Sequence, residues 1–570
     1  MAHILTNSPI GLIGRWLSGG RLFQPTEKRQ GFELPPPYKD AAGGSKTPLH
    51  YSDSPGSKKE IYAQENSIFA DSSQAPSPSN QPELEQQESQ RSPWIEPTIT
   101  SDGAIQVDWY SDQDLDNPHN WSFAAKLLVY IEVNLFTFVV YMSVAIFAAA
   151  EGEFMTVFGV SRSVGVLGMS TYVLGYGTGP MIWSPLSEIP SIGRNPPYVV
   201  SITIFLILSV PTALVNNVPG FLVLRFLQGF FGSPGLATGG ASIADVTGLV
   251  QLPYGLYIWG LCSIAGPAIA PVISGFSVPV KGWHWSMWEV LWAAACCFVF
   301  LIFLPETSGP AILHLRAKHL RELTGNPSFQ SQSEIKVKNV SPIQVMYDAL
   351  IIPWKIHAQD PAILFSTVYI GLVYAIFYSY FEVLPIVYID VYKMNLGELG
   401  LIFLASVVAP ILVLPFYYLF IHYCLNADFR RGISPRPEKR LIPALLGSFI
   451  VPVGLFMFAW TSRQSIHWIV PTIGLFIEVA GMALVLQCIF SYIAVAYTRY
   501  SASLFAMNDL CRAYLAFAAI MWSGPLYDSL GVAGGTTLLA GLTVGCVAGM
   551  FMLYFLGPAL QKRSKFAEID

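Results

Sequence analysis

The chain has 570 residues, 53% of them hydrophobic and only 12% Asp, Glu, Lys or Arg, about half the charged share of a soluble domain. Residues 1–123 hold 25 of the 69 charges, and the other 447 residues share 44 in long apolar runs, each near the ~20 residues a helix needs to cross a bilayer. A soluble enzyme is excluded by that distribution. A nucleic-acid binder is excluded by a net charge of −5, and a transmembrane barrel by the solidly apolar runs.

The first apolar stretch, Leu12, Ile13, Trp16, Leu17, Leu22 and Phe23 with Arg15 and Arg21, is too short and broken for a secretory signal. It reads either as a helix lying on a membrane surface or as a sticky part of the tail. Beyond it the chain turns polar, as in Ala75-Pro-Ser-Pro-Ser-Asn-Gln-Pro82, and cannot bury enough apolar surface to offset its ordering entropy. The expectation is a tail over 1–123 that is mostly disordered, roughly over 36–105.

From Lys126 onward, spans are expected at about 126–150, 163–186, 198–216, 219–246, 254–276 and 285–304. After a polar loop over 305–360 come 361–384, 397–422, 442–461, 467–490, 501–524 and 532–557, then a tail over 558–570. Backbone polar groups must be satisfied inside lipid, so every span is expected to be helical. The fold class is therefore an all-α membrane protein with twelve transmembrane helices in two six-helix halves, 124–304 and 361–557. With both termini inside, the short inner segments carry sixteen Lys and Arg and the outer loops four, Arg162, Lys281, Lys393 and Arg463. The sequons at Asn120 and Asn339 then lie inside, and all seven cysteines fall in or beside apolar runs, with no disulfide expected. No CxxC or Cys/His spacing supports a metal site.

Three runs carry chemistry. The second span holds Gly175-Tyr-Gly-Thr-Gly-Pro180, followed by Pro185-Leu-Ser-Glu188 and Gly193-Arg194. A carboxylate and an arginine around a glycine turn can latch helices together; a solvated, inside-positive loop is the plainer reading. The fourth span buries Arg225, with Gln228, Gly229 and Gly232 on its face. A charge at that depth costs at least ~2.5 kcal/mol. Arg225 either serves a carboxylate or anion, or snorkels to the interface. The fifth span reads Gly255-Leu-Tyr-Ile-Trp-Gly260, then Gly266-Pro267 through Pro271 to Gly275. It combines close helix approach with freed carbonyls and a bend, and packing alone is the simpler reading.

Other intramembrane polar groups are Glu132, Glu478, and the pair Asp509 and Arg512 with Asn508, Phe505 being a turn away. Asp509 and Arg512 either neutralise each other or line a wet cavity and exchange protons. Asp509 and Glu132 are the candidate coupled acids. In the seventh span Tyr374, Tyr378, Phe381 and Glu382 share a face. They suit a bulky cationic or planar solute, or form an interfacial aromatic belt.

Together these motifs resemble the major facilitator superfamily, and within it the fungal twelve-helix drug:proton antiporters of the benomyl/methotrexate and fluconazole resistance type. The resemblance is carried further by Asp116-Asn-Pro-His-Asn-Trp121, Thr212 to Asn217, Leu236 to Asp245, Leu304-Pro-Glu-Thr307 and Leu323-Thr-Gly-Asn326. It implies an inner gate at Gly175, Glu188, Gly193 and Arg194, a proton-linked Arg225, and an antiporter motif at Gly260, Gly266, Pro267, Pro271 and Gly275. Asn195 and Ala270 depart from the superfamily pattern, at a second basic position and a second Gly-Pro pair.

The function expected is proton-coupled export of small organic compounds such as drugs, fungicides, toxins or secondary metabolites. The chain is expected to act as a monomer in the plasma membrane, without cofactor or nucleic acid, and not as an enzyme. No P-loop exists, since Gly43-Gly-Ser-Lys46 has the wrong order, so an ion gradient is the expected motor. The alternatives are an importer of a nutrient such as a polyamine or vitamin, and a sensor that keeps the fold without transport.

Overall fold

The computed structural model describes residues 4–29, 31–42, 94–248, 250–337, 342–431, 436–497, 501–564 and 566. Lys338, the Asn339 sequon, Arg499 and Lys565 lie outside the described residues. Among the described residues, nine helices are long and apolar enough to cross a membrane.

Helix α1 (Pro9–Leu17) and α2 (Pro36–Ala42) precede a short strand, β1 (Ile105–Val107). The apolar body begins with α3 (Phe123–Ala145). Next come α4 (Leu167–Thr178) and α5 (Pro180–Glu188), which meet at Gly179-Pro180. Then follow α6 (Asn195–Leu214), α7 (Val218–Gly232), α8 (Gly239–Val246), α9 (Leu252–Lys281) and α10 (Trp283–Leu301). The expected spans over 163–186 and 219–246 are thus each divided into shorter helices. Pro180 and Pro234 lack the N–H that would continue the ladder, so they start new helical pieces.

The polar stretch after α10 is not a bare loop. It forms α11 (Gly309–Thr324), strand β2 (Phe329–Ser331) and α12 (Pro342–Gln359). The remaining body is α13 (Pro361–Leu384), α14 (Leu396–Phe403), α15 (Ala405–Phe420), α16 (Ile442–Thr461), α17 (Ile469–Ala496) and α18 (Ser501–Arg563). The last is two helices run together, broken at Gly531 with φ 68° and ψ 171°. A side chain at that φ would clash with its own backbone, and glycine escapes this.

Small residues set which helices touch. A Cβ on Gly454 would sit 2.7 Å from the Gly474 carbonyl, so α16 and α17 pack backbone to backbone. Gly175 and Gly229 make a reciprocal contact between α4 and α7, each facing the other helix's carbonyl at Phe226 and Tyr172. Gly175 packs that crossing, its missing Cβ admitting the neighbouring backbone. Helix α9 runs unbroken despite three internal prolines and touches α3, α14 and α15.

The tail corrects a second expectation. Residues 43–93, the bulk of the stretch expected to be disordered, lie outside the described residues, but both flanks are folded. Tyr38, Ile105, Val107 and Tyr110 form a small core with Ala317, Leu320 and Phe329 of the α11 region. β1 pairs in parallel with β2, Ile105 opposite Phe329. At the centre Arg316, 2% exposed, pairs with Asp114 at 2.7 Å, Asp116 at 2.8 Å and Glu27 at 3.1 Å. Its guanidinium also lies 4.1 Å from the Tyr110 ring centre. Aromatic burial and a fully paired arginine supply the ordering that composition alone does not reveal.

Candidate functional site

A cavity of about 330 Å³ runs between helices from both parts of the chain, lined by Tyr141 of α3, Trp259 and Gly260 of α9, Gln487 and Phe490 of α17, and Phe505, Asp509 and Arg512 of α18. The lining is apolar except for a few convergent polar groups, the usual character of a small-molecule site. On its wall Arg512 Nη2 donates to Asp509 Oδ1 at 2.6 Å and to the Tyr141 hydroxyl at 2.8 Å. The guanidinium also lies over the Tyr374 ring, 4.5 Å from its centre. One turn of α18 thus makes an internal ion pair and fastens it across the cavity to α3. Buried charges persist where they are paired and hydrogen-bonded in this way.

One end of the cavity reaches Glu188, Arg194 and Asp245. Arg194 Nε pairs with Asp245 Oδ2 at 3.0 Å, and Nη1 donates to Ser187 Oγ at 3.3 Å. Glu188 lines the mouth without a salt bridge to Arg194. Arg194 is thus paired with Asp245, which α8 brings to its Nε, and the expected Glu188–Arg194 pair is not made in this structure. Behind it Glu306 accepts the backbone N–H groups of Arg194 at 3.0 Å, Asn195 at 3.1 Å and Ser308 at 2.8 Å. The Asn195 side chain donates to the Leu304 carbonyl. Asn195, the departure from the superfamily pattern, thus ties the start of α6 to the end of α10.

Gly193 makes that arrangement possible. Its φ is +80°, and a Cβ there would run into the Glu306 carboxylate. Gly193→Ala should cost about 1–2 kcal/mol in backbone strain alone, and more from displacing Glu306. Thermal unfolding of purified protein would register this as a lowered midpoint; an unchanged midpoint would refute the assigned role.

Behind Tyr141, which lines the cavity, lies a cluster of tyrosines, the Tyr176 ring centre 5.7 Å from that of Tyr141. The Tyr176 hydroxyl lies 3.0 Å from that of Tyr374 and 3.4 Å from that of Tyr378. One turn further along α13, Phe381 and Glu382 line a second cavity of about 460 Å³, together with Glu151, Glu153, Arg162 and Asp390. There Arg162 pairs with Glu382 at 2.7 Å and approaches Asp528 at 3.7 Å. Phe381 stacks on Phe403 with ring centres 4.9 Å apart. Of the four α13 residues expected at a substrate cavity, Phe381 and Glu382 line the second cavity, while Tyr374 and Tyr378 bond to Tyr176 and Tyr374 lies under the Arg512 guanidinium. The helical rise of ~1.5 Å per residue separates them along one face.

Several other assigned residues lie off the first cavity. Arg225 donates to the carbonyls of Gly168 and Ser143, both at 2.9 Å, and its guanidinium lies 4.5 Å from the Tyr172 ring centre. It clasps α3, α4 and α7 with no carboxylate in the set. Gln228 donates to Ser209 Oγ at 3.0 Å, and Asn508 to Thr367 Oγ1 at 3.3 Å. Glu132 and Glu478 are fully buried, and neither carboxylate has a hydrogen-bond partner among the described residues. Helix α9 behaves as its glycines imply. A Cβ on Gly266 would lie 2.7 Å from the Phe138 carbonyl of α3, Gly275 abuts Leu396 of α14, and Gly400 of α14 abuts the Pro271 carbonyl. Pro267 is buried beside Gly266, and Gly260 faces the cavity.

Sequence reasoning did not single out Tyr141, Tyr176 or Gln487, which look like ordinary members of apolar runs. Nor did it give Asp245 to Arg194, or Arg162 to Glu382.

Residues 133–519 match the family model described as Major Facilitator Superfamily. The chain is 72% identical over 567 residues to the MFS-type transporter pyvG of Aspergillus violaceofuscus, covering 100% of each chain. It is 36% identical to the cycloheximide resistance protein of Candida maltosa, covering 81% of this chain and 86% of that one. It is equally 36% identical to the fluconazole resistance protein 1 of Saccharomyces cerevisiae, covering 82% and 86%. Among solved structures, the xylose transporter XylE from E. coli in a partially occluded inward open conformation aligns with a TM-score of 0.53. That alignment has 14% identity over 76% of this chain and 99% of the other, a likeness in fold. By the extent of the family match and by these relatives, the chain belongs to the major facilitator superfamily.

Proposed function

We propose that the chain is a proton-coupled exporter of small organic compounds. It works as a monomer in the plasma membrane, with both termini cytoplasmic and twelve spans in two six-helix halves. The observation that carries this reading is the cavity holding the Asp509–Arg512 pair, fastened to Tyr141 on the opposite half. Relatives named for resistance to cycloheximide and fluconazole support the cargo class.

In this reading the Arg194 end is the cytoplasmic mouth and the Arg162 end faces outside. The conformation is closed outward by the Tyr176, Tyr374 and Tyr378 cluster and by the Arg162–Glu382 bridge, which joins the two halves. Cargo enters from the cytoplasm and packs against Trp259, Phe490 and Phe505. Protonation of Asp509 removes its charge and loosens Arg512, so proton and cargo occupancy bias opposite conformations, as coupling requires. Arg225 then acts through α3 and α4, holding the helix that carries Tyr141.

The test is accumulation of chemically varied labelled toxins in cells with and without the protein, each with and without a proton uncoupler. Lowered accumulation is expected only with the protein present and the gradient intact. Equal accumulation in all four conditions would overturn the reading.

A further inference from the structure

The first α-helix is nine residues long, with an apolar face that nothing among the described residues covers. In α1, Leu12, Ile13, Trp16 and Leu17 fall on one side at i, i+1, i+4 and i+5. They are 54%, 52%, 81% and 71% exposed, and Leu22 in the following turn is 56% exposed. The helix itself is well determined. Ser8 caps it by accepting the Gly11 N–H, and Pro9 opens the first turn. Arg15 folds back to donate to the carbonyls of Thr6 at 2.7 Å and Phe23 at 3.1 Å. Gly11 and Gly14 let the opposite side pack tightly, Gly14 against the Phe23 ring. All the internal bonding lies on one side, and all the large apolar side chains point the other way.

The position of α1 identifies what covers that face. The Ile10 N–H donates to the Ile302 carbonyl at 3.1 Å, so α1 begins at the very end of α10. That end of α10 carries its own exposed apolar side chains, Val299, Phe300 and Phe303, on the surface a membrane-spanning helix turns to lipid. The apolar surface of α10 therefore continues onto α1, which lies where a hydrocarbon core gives way to headgroups. Further along, Thr26 bonds Asp116 at 3.0 Å and Glu27 bonds Arg316, so the segment is held at both ends. Arg21 and Arg29, exposed just after the helix, have the sign that anionic headgroups attract.

We infer that α1 is an interfacial membrane anchor, its Leu12, Ile13, Trp16 and Leu17 face seated in the bilayer leaflet beside the end of α10. The inference goes beyond export and requires only that the chain spans a membrane. It would survive a failure of the proposed function.

Full-length protein reconstituted in phosphatidylcholine–phosphatidylserine vesicles provides the test, with Trp16 fluorescence read as the difference between the parent and Trp16→Tyr. The expected component is blue-shifted relative to indole in water, quenched by lipids brominated near the top of the acyl chain, and spared by aqueous iodide. Because Trp16→Tyr could itself shift the helix, the double variant Trp16→Tyr/Leu17→Trp serves as a second reporter and should regain a lipid-quenched component. Water-like emission quenched by iodide at both positions would overturn the anchor. A blue-shifted component indifferent to brominated lipid would overturn it too, since the face would then be covered by protein, such as a second copy of this chain.

Discussion

Asp509→Asn is expected to abolish uncoupler-sensitive export in proteoliposomes while leaving a folded protein in the membrane. The substitution keeps the shape of the side chain and removes its charge, so Arg512 stays buried over the Tyr374 ring with only neutral acceptors, the amide oxygen at 509 and the Tyr141 hydroxyl. Breaking a buried pair by removing one member costs about 3–5 kcal/mol. At about 1.4 kcal/mol per tenfold, that moves the conformational equilibrium by more than roughly two orders of magnitude, enough to hold nearly all molecules on one side of the cycle. Removing both charges, as in Asp509→Asn/Arg512→Gln, should restore stability relative to the single variant without restoring gradient-driven transport. If Asp509→Asn still moved cargo in step with an imposed pH gradient, the coupled acid would have to be sought elsewhere, Glu132 first.

The other large effect is expected outside the membrane body. Arg316→Leu leaves Glu27 and Asp114 buried against each other's charge, and should cost about 3–5 kcal/mol by the same reasoning. Its pH dependence distinguishes it from a generic core defect. Desolvation pushes the Glu27 carboxyl up, but the hydrogen bond from His319 and the charge of Arg316 outweigh it and hold it below its usual range. Asp114 is likewise raised by burial and lowered further by Arg316. Carboxyls depressed in the folded state contribute stability above their unfolded values, near 4.5 and 3.8, and lose it as pH falls through the folded ones. The gap in thermal stability between parent and Arg316→Leu should therefore be widest near neutral pH and should close on acidification. A gap independent of pH would mean that Arg316 matters for its packing alone.

The apolar runs were legible because each residue in lipid answers to a single strong rule, the satisfaction of its backbone. Their interruptions were harder to read, since Gly179-Pro180 and Pro234 break helices without breaking hydropathy. At the site the sequence identified the costly residues better than their partners. Arg225 had to be satisfied somewhere, but carbonyls of α3 and α4 leave no mark on a sequence. Arg194 found Asp245 where Glu188 stood nearer along the chain, because the choice was made by α8 in space. Asp509 and Arg512 were readable as a pair from their spacing, yet Tyr141, which anchors them across the cavity, comes from a helix some 370 positions away. Glu382 lines the second cavity and not the one holding Asp509 and Arg512, because a shared helical face specifies direction around an axis but not depth along it.

The clasp around Arg316 also has a consequence for how such proteins diverge. Its carboxylates lie 289, 202 and 200 positions from Arg316 along the chain, and loss of Arg316 alone strands Glu27 and Asp114 as buried charges. A substitution at position 316 is therefore expected to be tolerated only together with changes at positions 27 and 114. A natural recombinant that inherits its first 121 residues from one parent and its middle segment from another would be selected against unless both parents kept the same quartet.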